Sequence, residues 1–232
     1  MNKNLVAVVP ARKGSQRVKN KNFKSFCGKN LLIHKIEVLK KIKKINEIII
    51  NTDSDEAIKI AKDLGVSFKK REEYYASSEC TNSEFWAHIA EKTDSSLIMF
   101  TNCTSPLIKE ETYTKIINKF ENAKSNNDSI NTVTEIKEYL YQNNKPLNFN
   151  PSKAPNSQDL PEIFKLNFAL VLILHIVFSS CVKIDIVIFV PFAIPSRISA
   201  KILSSDFFSI FISSINSCLI KERRRITALI IV

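Results

Sequence analysis

Glycine is nearly absent. The 232-residue chain has three, Gly14, Gly28 and Gly65, and none follows residue 65. That excludes two phosphate loops. A Walker loop needs GxxxxGK[ST] and a dinucleotide fingerprint needs GxGxxG, whereas Gly14 stands alone. Cysteine is sparse and irregular: five residues (27, 80, 103, 181, 218) without a CxxC pair. This argues against a disulfide framework or zinc site and for reduced thiols in a cytoplasmic compartment. The three histidines, at 34, 88 and 175, are isolated and offer no metal-ligand spacing. No aromatic–basic platform is present, so the net charge of +11 points to an anionic partner but not to nucleic acid. Much of that charge is lysine scattered among acids and apolar residues, as on a solvated face. The chain enters an apolar strand within its first few residues, and no signal peptide is expected.

The remaining composition, 44% hydrophobic and 25% charged, is that of a soluble globular protein. Its length fits one large domain, or a domain with a small appendage. Through residue 134 the hydrophobic pattern alternates between two periods. LVAVV (5–9) reads as a buried parallel strand, and Leu32, Ile36, Leu39 and Ile42 then recur at helical spacing. EIIINTD reads as a second strand. SDEAIKIAKDLG follows as a helix, with Ser54 as N-cap, acids in its first turn and Gly65 as its stop. VSF, SLIMF and SINTVTEI read as further strands. Helices are expected over 83–92, with Ser83 as cap, and over KEETYTKIINKFENA. Strands alternating with helices imply an α/β fold with a mostly parallel sheet flanked by helices.

Ligands of such sheets sit beyond the carboxyl ends of the strands. Three polar clusters fall there, Pro10–Asn22, Asn51–Asp53 and Thr101–Pro106, and they should converge on one crevice. The first, PARKGSQRVKNKN, offers backbone N–H groups in a Gly/Ser turn, a bidentate fork in Arg12 and a mobile charge in Lys21. This equipment suits a polyphosphate and the charge that develops on a departing pyrophosphate.

These residues resemble the signature of the acylneuraminate (CMP-sialic acid) cytidylyltransferases. IIINTDSDEAIKIAKDLGV resembles that family's second strand–helix unit. KKREEYYASS resembles its R-P-x-x-L-A-S-D element, with Glu72 for Pro and Ser78 for Asp. TNCTSPLI resembles Q-P-T-S-P-L-R, and SQDLPEIFKLNFAL resembles R-Q-x-L-P-x-x-F-R-x-N-G-A. The resemblance covers about residues 5–170 and implies a Rossmann-like nucleotidyltransferase fold. It also implies transfer of CMP from CTP to the anomeric hydroxyl of N-acetylneuraminate or a related nonulosonic acid, an acidic 2-keto sugar, with Mg²⁺ as cofactor and a homodimer as the assembly. Arg12 and Lys21 would be catalytic. Ala11, Arg12, Ser15, Asn22, Arg71, Cys80, Asn82 and Asn102 would bind the nucleotide, and Ser105, Gln158, Lys165 and Asn167 the sugar. Lys165 in place of arginine keeps the charge and loses the bidentate grip.

Two segments depart from the pattern. Residues 141–162 are polar and proline-bearing, read as a loop or dimer arm. From Val171 onward, 62 residues hold only three acids (Asp185, Asp206, Glu222), and the family's late I-D-I-D-T-E-x-D metal motif is missing: Asp185 is followed by Val187, not by a second acid. The division expected is therefore a cytidylyltransferase-like domain over 1–170 and a non-matching apolar tail over 171–232. Three readings of the tail stand: buried strands plus a helix, a membrane segment, or a segment foreign to the fold through a frame change near codon 170. The apolar run 168–178 falls short of the roughly 18–20 residues a span requires. With the metal motif missing, a catalytically inactive nucleotide-binding remnant is the alternative to an active enzyme, and a membrane-associated protein the lesser one.

Overall fold

The computed structural model describes residues 4–15, 18–123, 127–175, 184–189 and 226–231. The chain begins with β1 (Leu5–Pro10), then a small hairpin of β2 (Ser25–Phe26) and β3 (Lys29–Asn30), leading into α1 (Leu31–Lys40). β4 (Glu47–Thr52), α2 (Asp55–Asp63) and β5 (Ser67–Lys70) follow. Next come the short α3 (Glu73–Ala76), α4 (Asn82–Glu91), β6 (Leu97–Thr101), α5 (Glu110–Ala123) and β7 (Ser129–Ile136). A second hairpin, β8 (Tyr141–Gln142) and β9 (Lys145–Pro146), precedes the long β10 (Ile163–Leu174). β11 (Ile184–Phe189) and β12 (Ile226–Ile231) complete the described chain.

Eight strands form one sheet in the order β11-β12-β7-β10-β6-β1-β4-β5. Its pairings are parallel except where β10 runs antiparallel between β6 and β7. The alternation of β1 explains the layering. Leu5, Ala7 and Val9 face a core built with α1, α2 and α5, whereas Val6 and Val8 face a second core built with α4. Leu32, Ile36 and Leu39 recur at helical spacing and are fully buried, and burial of each such side chain contributes about 1.5–3 kcal/mol. The sheet is thus covered on both faces, as near-continuous apolar strands require.

Local signals act as the sequence pattern suggests at most boundaries. Ser54 accepts from the Ala57 N–H at the start of α2, and Gly65, at φ +62°, ends it in a conformation that a side chain would strain. The cap expected at Ser83 is instead Thr81, which forms a capping box with Glu84. Glutamate three residues on lets each side chain satisfy the other's backbone N–H, and Ser83 has no such partner. The 141–162 segment is less irregular than expected. Its hairpin turns through Asn143 and Asn144, both left-handed (φ 50° and 60°), a conformation asparagine tolerates.

β10 continues past residue 170, with a register shift against β7 between Leu166 and Val171, and Val171, Leu172 and Ile173 are buried between β6 and β7. Beyond Leu174, β11 and β12 extend the sheet from β7. Most of the tail, including the expected helix and the end of the apolar run at Phe178, lies outside the described residues. Among the described residues, no helix is long and apolar enough to cross a membrane.

Candidate active site

The chain leaves β1 toward β4 and β5 on one side and returns on the other through β6, so the crevice between β1 and β6 lies at a topological switch point. A cleft of about 400 Å³ opens there. Its first wall is the turn after β1. Ala11 is buried and tied to β4, its N–H donating to the Asn51 carbonyl at 3.0 Å and its own carbonyl accepting from Thr52 Oγ1. The turn is then pinned by the Lys13 N–H donating to Asp53 Oδ1 at 2.7 Å, while Gly14 supplies a left-handed step at φ +70°. Arg12 emerges beyond this anchor and donates from Nη1 to the Ala76 carbonyl at 3.2 Å.

Arg71 forms the cleft's most constrained cation. Its Nε donates to Asn51 Oδ1 at 2.6 Å and its Nη2 to the Asn51 carbonyl at 2.9 Å, and its guanidinium carbon lies 4.3 Å from the Phe85 ring centroid. Burial pushes its pKa down to about 10, against the opposing pull of Asp53, so it remains a cation at neutral pH.

A second part of the lining is aromatic, and Arg71 lies against it at Phe85. Phe85 and Trp86 from α4 meet Phe100 from β6, and Trp86 lies 6.1 Å from Phe100 and 5.7 Å from Phe168, centroid to centroid. On the other face of the sheet runs a buried polar chain. Lys35 Nζ donates to the Ser105 carbonyl at 2.9 Å and to Tyr113 Oη at 2.5 Å, and Tyr113 Oη lies 3.0 Å from Thr101 Oγ1. Burial lowers Lys35 to about 8, with nearby Cys103 pulling the other way. Burial also pushes Cys103 and Tyr113 up to about 12. Lys35 thus holds the loop after β6 by its backbone.

Arg12, Ser15, Lys21 and Asn22 line the cleft, as do Arg71, Cys80, Asn82 and Asn102. Ala11, expected among them, is buried and does not line the cleft. The expected sugar set does not line it. Ser105 meets Lys35 through its carbonyl, Gln158 is exposed in a 3-10 turn, and Lys165 is exposed on β10. Asn167 is exposed too, with Nδ2 donating to Thr134 Oγ1 and Oδ1 accepting from Thr132 Oγ1. Sequence reasoning passed over Lys35, Trp86, Phe100 and Phe168. A signal existed for Lys35, which falls on the apolar stripe of Leu32, Ile36 and Leu39, where a solvated lysine has no place. Among the described residues, no group of three or more His, Cys, Asp or Glu side chains could hold a metal ion, and the cleft lining contains no carboxylate.

A family model described as Cytidylyltransferase matches residues 6–165. The chain belongs to the cytidylyltransferase family. It is 28% identical over 170 residues to a Helicobacter pylori protein named pseudaminic acid cytidylyltransferase and UDP-2,4-diacetamido-2,4,6-trideoxy-beta-L-altropyranose hydrolase, covering 68% of this chain and 32% of that one. It is 33% identical over 88 residues to an Escherichia coli N-acylneuraminate cytidylyltransferase, covering 38% of this chain and 21% of that one. The chain spans about a third or less of the length of the curated relatives it matches. Among solved structures, a CMP:2-keto-3-deoxy-manno-octonic acid synthetase complexed with CTP superposes with a TM-score of 0.60 at 13% identity, covering 76% of each chain. That likeness shows the cytidylyltransferase family's fold in this chain.

Proposed function

We propose that this chain binds CTP in the β1–β6 cleft and transfers CMP to an acidic 2-keto sugar of the nonulosonic type. The observation that supports this most directly is the grouping of Arg12, Lys21 and Arg71 with Ser15 and Asn22 at the switch point of the sheet. In the reaction the anomeric hydroxyl oxygen attacks the α-phosphorus, the bond to the β-phosphate bridging oxygen breaks, pyrophosphate leaves, and the hydroxyl proton passes to solvent. Positioning and charge neutralisation account for most of such a rate enhancement. Arg12 and Lys21, which open toward the cleft, would carry the charge of the leaving pyrophosphate. Arg71, held by Asn51, would fix the nucleotide's position. The curated relatives act, by their names, on N-acylneuraminate and pseudaminic acid, and they supply the sugar class.

Mg²⁺ belongs to the proposal as an ion carried on the CTP phosphates. The cleft lining, with no carboxylate among its described residues, does not fit a protein-held Mg²⁺. The same observation favours a second reading, a remnant that binds CTP without turnover. A homodimer formed through the 141–162 arm and a cytoplasmic location complete the proposal. Pyrophosphate release from CTP and Mg²⁺ across a panel of nonulosonic acids tests it. Turnover with one acid supports the enzyme, whereas CTP binding by calorimetry with no release across the panel supports the remnant.

A further inference from the structure

Phe168 adopts φ +50°, a left-handed backbone that a bulky aromatic residue rarely takes. The cause is local. The register of β10 against β7 passes from Leu166↔Val133 to Val171↔Asn131, so the four residues 167–170 stand opposite Thr132 alone. This bulge is built rather than incidental. Thr132 Oγ1 accepts from the Leu170 N–H at 3.1 Å and lies 2.7 Å from Asn167 Oδ1, which also accepts from the Ala169 N–H at 3.0 Å. On the side of β6, Asn102 Nδ2 donates to the Phe168 carbonyl at 2.9 Å and Thr101 Oγ1 to the Ala169 carbonyl at 2.8 Å. Bulges re-aim side chains next to active sites, and a strained conformation held by so many bonds marks a side chain placed for use.

The side chain so aimed is the cleft's sole contribution from β10, the strand that also bears Lys165 and Asn167. It packs edge-on against Trp86 and faces the cavity beside the Asn102 amide. Asn102 keeps its carbonyl oxygen and one N–H beyond the bond to Phe168. An amide next to an aromatic wall complements an acetamido group, whose polar atoms meet Asn102 and whose methyl meets the rings.

We propose that Phe168, with Trp86, is a specificity-determining residue, forming an apolar wall that selects an acidic sugar bearing a methyl-terminated acyl group over its hydroxylated counterpart. This rests on the reading of the cleft as a site for CTP and an acidic sugar. The lone tryptophan of the chain, Trp86, reports directly on the wall. The test titrates the full-length chain with CTP, then with N-acetylneuraminate or its N-glycolyl analogue, following Trp86 fluorescence in the native protein, Phe168→Gly and Phe168→Leu. Glycine takes the left-handed backbone without penalty, so the bulge survives the substitution.

An apolar pocket discriminates against an added hydroxyl by about 10- to 100-fold. The native protein is expected to favour the acetyl sugar by at least about 10-fold, Phe168→Gly to fall below about 2-fold, and Phe168→Leu to recover part of the preference. CTP binding without acetyl preference in the native protein, or an unchanged preference in Phe168→Gly, overturns the wall and leaves the CTP site standing. Failure of the native protein to bind CTP overturns the cleft's assignment and the wall with it.

Discussion

The two flanks of the cleft are made in different ways. The cationic flank grows from a strand and the turn that follows it: β1 ends, the turn is tied to β4, and Arg12 and Lys21 arrive within about a dozen residues of one another. The aromatic flank has no such continuity. Phe85 and Trp86 come from α4, Phe100 from β6, and Phe168 from an antiparallel strand that returns between β6 and β7. One flank is a local motif set on a rigid sheet, and the other exists only once distant strands have paired. Their sensitivities to substitution should differ accordingly.

The sharpest break is expected on the cationic side. Arg71→Met removes two hydrogen bonds to buried Asn51, whose carbonyl keeps only the Ala11 N–H, and is expected to cost about 3 kcal/mol of stability in urea titration, with CTP binding lost alongside. A loss below about 1 kcal/mol would show that Arg71 is not the anchor of this flank. On the other side, Thr132→Val leaves the buried Leu170 N–H without its acceptor. The expected cost is about 2 kcal/mol, with a red shift of Trp86 emission as the bulge relaxes. Thr81→Ala removes the capping box of α4, the helix that presents Phe85 and Trp86. It should cost about 1 kcal/mol by thermal unfolding and leave the cationic turn untouched.

The smallest effect tests the lysine that holds the loop after β6. Lys35 is lowered to about 8 from 10.5 by burial, so between those values the unfolded chain holds more protons at this lysine and stability rises with pH. Cys103 and Tyr113, both pushed up to about 12, act in the opposite sense from about pH 9 upward. The net gain is therefore confined to the window between about pH 8 and 9 and amounts to roughly 0.5–1 kcal/mol. Lys35→Met should flatten it in denaturation curves taken across that window.

The same contrast governs what could be read from the sequence. Strand–helix alternation, the Ser54 cap and the Gly65 stop are local signals, and each appears where its residues stand. That Arg12, Arg71 and Asn102 would line one cleft was legible because they follow the ends of β1, β5 and β6, where backbone groups and side chains turn outward together. Thr81 was legible in principle through Glu84, three residues on, but serine at 83 is an equally good cap in isolation. The direction of β10 was not. Its apolar run fits a parallel or an antiparallel neighbour, and only pairing with β6 and β7 decides between them. Phe168 was hidden for the same reason. Its left-handed backbone follows from the register slip against Thr132, far away in the chain. The one sequence signal is that Phe168 stands where the resembled N-G-A element has glycine, which takes that backbone freely.

The position of β10 also sets an order in time. It lies in the interior of the sheet, yet β6 and β7 are synthesised well before it. Until Leu174 has left the ribosome, both neighbours present open hydrogen-bonding edges, and the apolar faces of Phe100 and Ile130 lack the strand that belongs between them. The nascent protein must keep those edges apart from other chains while a non-local strand threads into place. The slow step of its folding should be that insertion.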